Sequence, residues 1–221
     1  GLTKARPVVL GHGGSAGVDL VKFSPKDVTG ERPVTLGFVG RISRDKGVEV
    51  ALDALSSLRR HTAGAVLLIA GEYDPTDPIE TTLKPRLESE PGVKLMGRVD
   101  DIPSFMNGID VLVFPSRREG LPNVVIEAAA CGVPSVGWDV TGLRDAIEDG
   151  QTGSLVPLGN VQLFHQKVAE WATKCDDSTA RSCRQWSTRF SRAVLAEALV
   201  EFLDELVRAD KREPRRSVYR H

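Results

Sequence analysis

The sequence is poor in cysteine and in aromatic residues, and each shortage excludes a class of protein. The three cysteines of the 221-residue chain are an odd number without C-x-x-C spacing, which argues against a disulfide framework and against a zinc site. We therefore expect a reduced, cytosolic setting. Phe, Trp and Tyr make up only 5% of the residues, too few for the stacking surfaces that bind single-stranded nucleic acid.

An excess of charge of one sign and long apolar runs are also missing. The 29 Lys and Arg residues nearly balance 30 Asp and Glu residues, for a net charge of −1, so we expect no nucleic-acid partner. No apolar run approaches the roughly 18 residues of a membrane span, and the first residues lack the apolar core of a signal peptide. With 41% hydrophobic and 27% charged residues, the composition is that of a globular domain rather than a disordered chain.

Short apolar runs alternate with helical patterns along the chain. The runs cover residues 34–39, 65–70, 93–96, 110–114 and 134–137. Each run is apolar on both faces, as in the strands of a parallel sheet that is covered on both sides. We therefore predict an α/β fold with a Rossmann-like, doubly wound parallel sheet, whose ligand binds beyond the carboxyl ends of the strands.

The segments between the runs have helical periodicity. After Gly47, apolar residues recur at intervals of three and four, which predicts an amphipathic helix. Residues 123–131 are apolar nearly all round and predict a buried helix. From about residue 154 the pattern is helical, with one clear stripe: Leu195, Leu199, Phe202, Leu203 and Leu206.

These patterns predict a single domain over residues 1–207. It comprises a leading segment (1–33), a core (34–157) and C-terminal helices (158–207). Residues 208–221 hold six Lys or Arg against two Asp or Glu. We expect them to form a solvated basic tail, with contact to anionic lipid as the alternative.

A glycine- and cation-rich loop follows the first predicted strand. Residues 40–47 read Gly-Arg-Ile-Ser-Arg-Asp-Lys-Gly and directly precede a predicted helix. Gly40 permits close backbone approach to an anion, and a helix N-terminus adds partial positive charge. Arg41 can hold a diphosphate in bidentate fashion, and Lys46 adds a compact charge. We predict a diphosphate cradle here, with an ordinary surface loop as the alternative.

A second loop, residues 115–123, follows the fourth predicted strand and leads into the predicted buried helix. Pro122 favours a helix start directly afterwards, which places Glu119 in the loop and Glu127 in the first helical turns. Two such carboxylates can accept hydrogen bonds from hydroxyls of two rings that flank a diphosphate. The alternatives are a solvated Glu119 with Glu127 paired to Arg117 or Arg118, and the acid/base pair of a glycosidase.

Other candidate motifs are weaker. Residues 11–19 contain glycines spaced like a dinucleotide-binding fingerprint, but no periodic helix follows them. We therefore expect no NAD site. The sequence has no DxD motif and no acidic or histidine cluster with metal-ligand spacing, so we expect no metal.

Four longer stretches resemble one known family. They are GFVGRISRDKGVEVALDAL, LLIAGEYD, VKLMGRVDDIPSFMNGIDVLVFPSRREGLPNVVIEAAACGVPSV and TGLRDAIEDGQTGSLVP, and they cover most of residues 34–157. Within them, G-R-x4-K-G, P-S-x-x-E-G and Glu119-x7-Glu127 follow in order. The chain resembles the C-terminal, donor-binding domain of the family-4 retaining glycosyltransferases with the GT-B architecture, in which Glu119-x7-Glu127 matches the E-x7-E motif.

The resemblance implies a role for each matching position. Arg41 and Lys46 correspond to the basic pair on the donor diphosphate, Glu119 to the contact with the sugar hydroxyls, and Glu127 to the contact with the ribose hydroxyls. The implied catalytic residues are Arg41, Lys46 and Glu119. The implied donor-binding residues are Gly40, Arg41, Lys46, Arg98, Val99, Glu119, Gly120, Leu121, Pro122, Asn123 and Glu127, with Arg98 and Val99 beside the nucleobase.

The resemblance also implies an activity. The chain is expected to bind a nucleoside-diphosphate sugar, with a UDP-sugar as the expected donor, for a retaining, metal-independent hexosyl transfer without a cofactor. The acceptor is expected to be a glycan or a lipid-linked sugar, in polysaccharide or cell-surface glycan biosynthesis. An N-terminal acceptor-binding domain is the expected partner, and because it is absent from the chain we expect no transfer by the chain alone.

The expected location is the cytoplasm, with the inner face of the membrane as an alternative. Two other functions stay open on the sequence. One is a non-catalytic module that binds a nucleotide sugar, and the other is a phosphorylase or epimerase-type enzyme with the GT-B architecture.

Overall fold

A six-stranded parallel sheet forms the centre of the protein, in a computed structural model that describes residues 17–26, 32–77, 79–174 and 176–212. The strands are β1 (Thr35–Val39), β2 (Val66–Ala70), β3 (Val93–Gly97), β4 (Val111–Phe114), β5 (Ser135–Trp138) and β6 (Gly153–Val156). Their order across the sheet is β3-β2-β1-β4-β5-β6, and every neighbouring pair is parallel. The predicted α/β, doubly wound sheet is therefore confirmed.

Helices cover both faces of this sheet. They are α1 (Val48–Arg59), α2 (Ile79–Ser89), α3 (Ile102–Asn107), α4 (Asn123–Ala130), α5 (Leu143–Ala146), α6 (Val161–Lys174), α7 (Asp177–Ser187) and α8 (Arg192–Arg212), with a 3-10 turn at Thr188–Phe190. Helices α1, α2 and α6 share one hydrophobic cluster with the sheet, and α3, α4 and α5 share the other.

Strand β4 shows why its sequence is apolar on both faces. All four of its residues are buried. Successive side chains of a strand point to opposite faces, so Val111 and Val113 join one cluster while Leu112 and Phe114 join the other. The centre of the sheet thus divides two cores, and its strand ends are the parts of the sheet that are left for a ligand.

The predicted strands at residues 34–39, 65–70, 93–96, 110–114 and 134–137 are confirmed as β1 to β5 with shifts of one residue at their ends. The expectation of a purely helical pattern from about residue 154 is wrong for β6. This strand is only four residues long and begins at Gly153. Gly153 lies so close to the Ser135 carbonyl that a Cβ would be 1.8 Å from its oxygen, so only glycine fits there. Its sequence therefore carries little apolar signal.

Helix α8 differs from the other long helices because its apolar side chains face solvent. Five of its apolar residues are each between 42% and 59% exposed: Leu199, Val200, Leu203, Leu206 and Val207. The helix continues to Arg212, past the start of the predicted tail, and residues 213–221 lie outside the described residues. Among the helices that the structure describes, none has the length and apolarity to cross a bilayer.

Candidate functional site

The sheet has one point at which its winding reverses, and both predicted loops lie there. The chain proceeds from β1 outward to β2 and β3 on one side, and from β4 outward to β5 and β6 on the other. A crevice opens between two such strands at their carboxyl ends, and ligands of open α/β sheets bind in it. The β1 loop (residues 40–47) and the β4 loop (residues 115–122) leave the sheet at this crevice.

The two loops are packed directly against each other. The backbone N–H of Arg117 donates a hydrogen bond to the carbonyl of Asp45 at 2.9 Å. Gly47, with a φ of 70°, lies so close to the β4 loop that a Cβ at this position would be 2.4 Å from the carbonyl oxygen of Pro115. The loops therefore form one continuous rim, in which side chains of both can act on a single ligand.

Lys46 and Glu119 form an ion pair across this rim. The Lys46 Nζ lies 2.6 Å from the Glu119 Oε1, and the two side chains are only 20% and 13% exposed. A charge-assisted hydrogen bond of this kind is stronger than a neutral one. The alternative of a solvated Glu119 is therefore wrong, because this carboxylate is largely shielded from water and holds a lysine.

Arg41 pairs with an aspartate that the sequence analysis missed. Its guanidinium, with a side chain 62% exposed, donates to Asp74, whose side chain is 8% exposed and follows strand β2. Asp74 also accepts hydrogen bonds from the hydroxyl of Thr76 at 2.7 Å and from its backbone N–H at 2.9 Å. These bonds with Thr76, and the charge of Arg41, hold the pKa of Asp74 below its usual value.

The β1 loop is further stiffened by its own hydrogen bonds and by the loop after β2. Ser43 donates its hydroxyl to Asp45, and this bond, with the nearby charges of Lys46 and Arg41, lowers the pKa of the Asp45 carboxyl. The backbone N–H of Arg44 donates to the Asp77 carboxylate at 2.8 Å. The loop is thus tied on both sides before any ligand binds, which favours preorganised binding.

Glu127 lies on helix α4 as predicted. Pro122 has an extended backbone (φ −78°, ψ 104°) and caps α4, which begins at Asn123. The Glu127 carboxylate has no hydrogen bond or ion pair with any residue that the structure describes, so the alternative pairing with Arg117 or Arg118 is not observed. Burial raises the pKa of Glu127, and the charge of Lys22 opposes that shift.

Glu127 lines a small cleft beside the rim. The other lining residues are Gly17, Val18, Leu121, Asn123, Ile126 and Phe190. The cleft is therefore built from the start of α4, from the described part of the leading segment, and from the 3-10 turn. A half-buried carboxylate without a partner in such a cleft can accept hydrogen bonds from a ligand that brings hydroxyl donors.

The remaining part of the β4 loop packs against the residue that precedes α5. Gly120 is exposed, Leu121 is half-buried and Pro122 is buried. Gly142, which precedes α5 with a φ of 84°, approaches the Gly120 carbonyl so closely that a Cβ at residue 142 would lie 1.4 Å from that oxygen. This packing fixes the backbone of the loop that carries Glu119.

Arg98 and Val99 lie at the end of strand β3, which β2 and β1 separate from β4 across the sheet. The Arg98 side chain is 81% exposed, and its Nε lies 3.4 Å from the Asp100 carboxylate. No hydrogen bond or ion pair joins Arg98 to Arg41, Lys46 or Glu119 in the described ranges. The structure therefore leaves the nucleobase contact of these two residues as a prediction.

The rim offers cations rather than metal ligands. In the part of the chain that the structure describes, no group of three or more His, Cys, Asp or Glu side chains could hold a metal ion. Arg41, Arg44 and Lys46 each already contact one carboxylate, and each loop is braced by its neighbours. The arrangement can therefore bind an anionic group near the N-terminus of α1, and hydroxyl groups at the second carboxylate oxygen of Glu119 and at the carboxylate of Glu127.

Comparison with known proteins places these features in one family. Residues 33–174 match the family described as Glycosyl transferases group 1. The chain is 33% identical over 168 residues to the capsular polysaccharide biosynthesis glycosyltransferase CapM of Staphylococcus aureus. The matched region covers 72% of this chain and 44% of that protein. It is 30% identical over 222 residues to the D-inositol 3-phosphate glycosyltransferase of Saccharomonospora viridis, with coverages of 88% and 50%. The chain thus spans about half the length of these relatives, or less.

Solved structures are similar in fold. Sucrose-phosphate synthase from Thermosynechococcus elongatus matches with a TM-score of 0.72 and 23% identity, over 88% of this chain and 52% of that one. The Anabaena protein Alr3699/HepE in complex with UDP-glucose matches with a TM-score of 0.69 and 22% identity, over 86% and 56%. These matches confirm the predicted Rossmann-like fold of a GT-B glycosyltransferase half.

Proposed function

Because the chain belongs to the group 1 glycosyl transferases, we propose that it is the donor-binding domain of a retaining hexosyltransferase. The donor is a nucleoside-diphosphate sugar, with a UDP-sugar as the expected one. The acceptor is a glycan or a lipid-linked sugar, in polysaccharide or cell-surface glycan biosynthesis. The observation that carries the proposal is the braced rim between β1 and β4, which holds Arg41, Lys46 and Glu119 at the point where the sheet reverses.

The diphosphate is proposed to bind between Arg41 and Lys46. The guanidinium of Arg41 contacts Asp74, but the side chain is largely exposed, so it can also donate to a second anionic group. No side chain caps the first turn of α1, which begins directly after the β1 loop, and its N-terminus adds partial positive charge. At about 4 Å, a unit charge pair near a protein surface is worth about 4 kcal/mol, against about 1 kcal/mol in bulk water.

The two glutamates are proposed to hold the rings on either side of that diphosphate. Glu119 keeps one carboxylate oxygen on Lys46 and can accept sugar hydroxyls at the other. Glu127 has no partner among the described residues and is half-buried in its cleft, so hydroxyl donors of a ribose would satisfy a carboxylate whose burial is otherwise unfavourable. The two glutamates are assigned to different rings because Glu119 is paired with Lys46 at the rim, whereas Glu127 lines a separate cleft.

Transfer requires stabilisation of the nucleoside diphosphate as it leaves. Negative charge develops on that group in an oxocarbenium-like transition state, and preorganised cations stabilise it most when they are fixed in advance. Arg41 and Lys46 are fixed in this way by Asp74 and Glu119. We propose a metal-independent transfer on the front face of the sugar, in which these two cations carry the leaving-group charge.

An acceptor-binding domain is proposed as the partner of this chain. The matched relatives are about twice as long as the part that the chain covers. The exposed apolar face of α8 supports the proposal, because a second domain of the same enzyme would cover it. We accordingly expect donor binding but no glycosyl transfer by the chain alone, and a location in the cytoplasm or at the inner face of the membrane.

Calorimetric titration tests the proposal directly. The panel comprises UDP, GDP, ADP and their glucose conjugates, titrated into the unchanged protein and into Arg41→Ala and Lys46→Ala. Each variant should lose about 10²-fold in affinity for the preferred ligand, because a charged group of the diphosphate loses its partner. Arg44→Ala is the matched control, because it removes one exposed cation from the same loop, and it should change affinity by less than about threefold. A folded protein that binds none of these ligands would contradict the proposal.

Transfer itself separates the enzyme from a non-catalytic module. When this chain is joined to its acceptor domain, the enzyme should transfer sugar with retention, and Glu119→Gln should abolish transfer more strongly than donor binding. A complete protein that binds the donor but transfers to no acceptor or water would support the module instead.

A further inference from the structure

One guanidinium joins three parts of the chain that are distant in sequence. Arg184 of helix α7 donates through Nη2 to the carbonyl of Leu20 at 2.6 Å. Through Nη1 it donates to the carbonyl of Ala130 at 2.8 Å and to that of Phe23. Arg184 thereby connects the described leading segment (residues 17–26) to the end of α4.

Each of these carbonyls belongs to a segment that also contributes residues to the lining of the Glu127 cleft. Ala130 is the last residue of α4, three positions after Glu127, and its carbonyl is one of the four that a helix leaves unbonded at its C-terminus. A cation at this end also complements the helix dipole. Arg184 therefore fixes the end of the helix whose second turn carries Glu127.

The leading segment contributes to the wall of the same cleft. Gly17 and Val18 line it together with Glu127. The backbone of Val18 is bonded on both sides: its N–H donates to the Phe190 carbonyl at 2.8 Å, and its carbonyl accepts from the N–H of Arg192 at 3.1 Å. The turn that follows is held by the Arg184 bonds to the carbonyls of residues 20 and 23.

This inference rests on the proposed function. We propose that Arg184 is a positioning residue of the donor site, which sets the separation between Glu127 and the wall formed by residues 17 and 18. Through that separation it determines how well the cleft holds the ribose hydroxyls of the donor nucleotide. Arg184 acts in this proposal without touching the ligand, through the hydrogen bonds that its two terminal nitrogens donate to three backbone carbonyls.

The test compares a ribose with a sugar that lacks its hydroxyls. UDP and 2′,3′-dideoxy-UDP are titrated into the unchanged protein and into Arg184→Ala, or the matching pair if another nucleoside diphosphate binds more tightly. The unchanged protein should prefer UDP by tenfold or more. Arg184→Ala should lose that preference and should bind dideoxy-UDP within twofold of the unchanged protein.

Two further variants keep the result interpretable. Arg184→Lys retains a cation that can reach fewer of the three carbonyls at once, so it should give an intermediate preference, and it carries the test if Arg184→Ala does not fold. Arg181→Ala is the matched control. It removes an exposed arginine one turn earlier on α7, whose side chain bonds no described residue, and it should leave the preference unchanged.

The outcomes separate this inference from the function on which it rests. If the unchanged protein binds no nucleoside diphosphate, the proposed function fails and the inference fails with it. If it prefers UDP and both Arg184 variants keep that preference, the inference alone is overturned. Equal weakening of UDP and dideoxy-UDP also overturns it, because a purely structural role would lower both affinities together.

Discussion

Replacing Lys46 by methionine should separate what the Lys46–Glu119 pair contributes to stability from what it contributes to binding. The Nζ and Oε1 atoms are 2.6 Å apart, and the side chains are 20% and 13% exposed. Methionine keeps most of the apolar stem and removes the ammonium. Glu119 then keeps a largely shielded negative charge without its partner, which is the unfavourable state of a broken ion pair.

The size of the effect follows from the partial burial. A hydrogen bond to a charged group is worth about 1.5–3 kcal/mol, and breaking a fully buried pair costs about 3–5 kcal/mol. For a pair with some remaining exposure we expect Lys46→Met to lower the free energy of unfolding by about 2 kcal/mol, which corresponds to about 4–8 °C in Tm for a domain of this size.

The double variant Lys46→Met with Glu119→Gln should recover most of that stability, because no shielded carboxylate is then left without its partner. Its affinity for the preferred nucleoside-diphosphate sugar should nevertheless stay about 10²-fold below that of the unchanged protein. Thermal unfolding measures the first quantity and calorimetric titration the second. Lys167→Met is the matched control, since its pair with Glu170 is 2.8 Å long and about one-third exposed, and it should cost less than about 1 kcal/mol.

Two results would refute this reasoning. One is a loss of Tm in Lys46→Met no larger than in Lys167→Met, because the rim pair would then contribute no more than a surface pair. The other is a double variant that binds the nucleotide sugar as tightly as the unchanged protein, because the ammonium would then have no part in donor binding.

Three other substitutions address the remaining parts of the site. Burial raises the pKa of Glu127, so its carboxylate costs stability once the pH exceeds the unfolded-state pKa. Glu127→Gln should therefore raise Tm at pH 7, and thermal unfolding over a pH series should show that this gain vanishes near pH 4. The same variant should bind the nucleotide more weakly. Gly142→Ala places a Cβ 1.4 Å from a β4-loop carbonyl oxygen and should lower both Tm and affinity. The control is Gly150→Ala, which is also at positive φ but has nothing within 4 Å of its Cβ. It should cost only about 1 kcal/mol of stability. Asp74→Asn should weaken nucleotide binding severalfold, less than Arg41→Ala does, because the guanidinium loses its fixed position; tighter binding in titration would show that Asp74 only competes with the ligand.

The sheet and the β1 and β4 loops that leave it were predictable from local sequence. Strand β4 is apolar at every position because both of its faces are covered. The β1 and β4 loops stand out because glycine, proline and charge follow directly after such runs. Strand β6 was missed because a short strand that begins with glycine has too few apolar side chains to show a period.

The pairings within the site were not predictable in the same way. Asp74 lies 33 positions from Arg41 in sequence, and only the order of the strands brings their loops together. The three carbonyls bound by Arg184 are backbone groups, which leave no signature in residue identity. Asp74 lies four positions after the end of β2, at the same sheet edge as Arg41, but Glu72 lies nearer to that strand, so the sequence alone did not single out Asp74.

The most direct test of the central claim is a crystal structure of the protein with its preferred nucleoside-diphosphate sugar. The account predicts the diphosphate oxygens within hydrogen-bond distance of the Arg41 guanidinium and the Lys46 ammonium, with the ribose hydroxyls on Glu127 and the sugar hydroxyls on Glu119. A nucleotide bound elsewhere on the protein, with the crevice between β1 and β4 left empty, would contradict it.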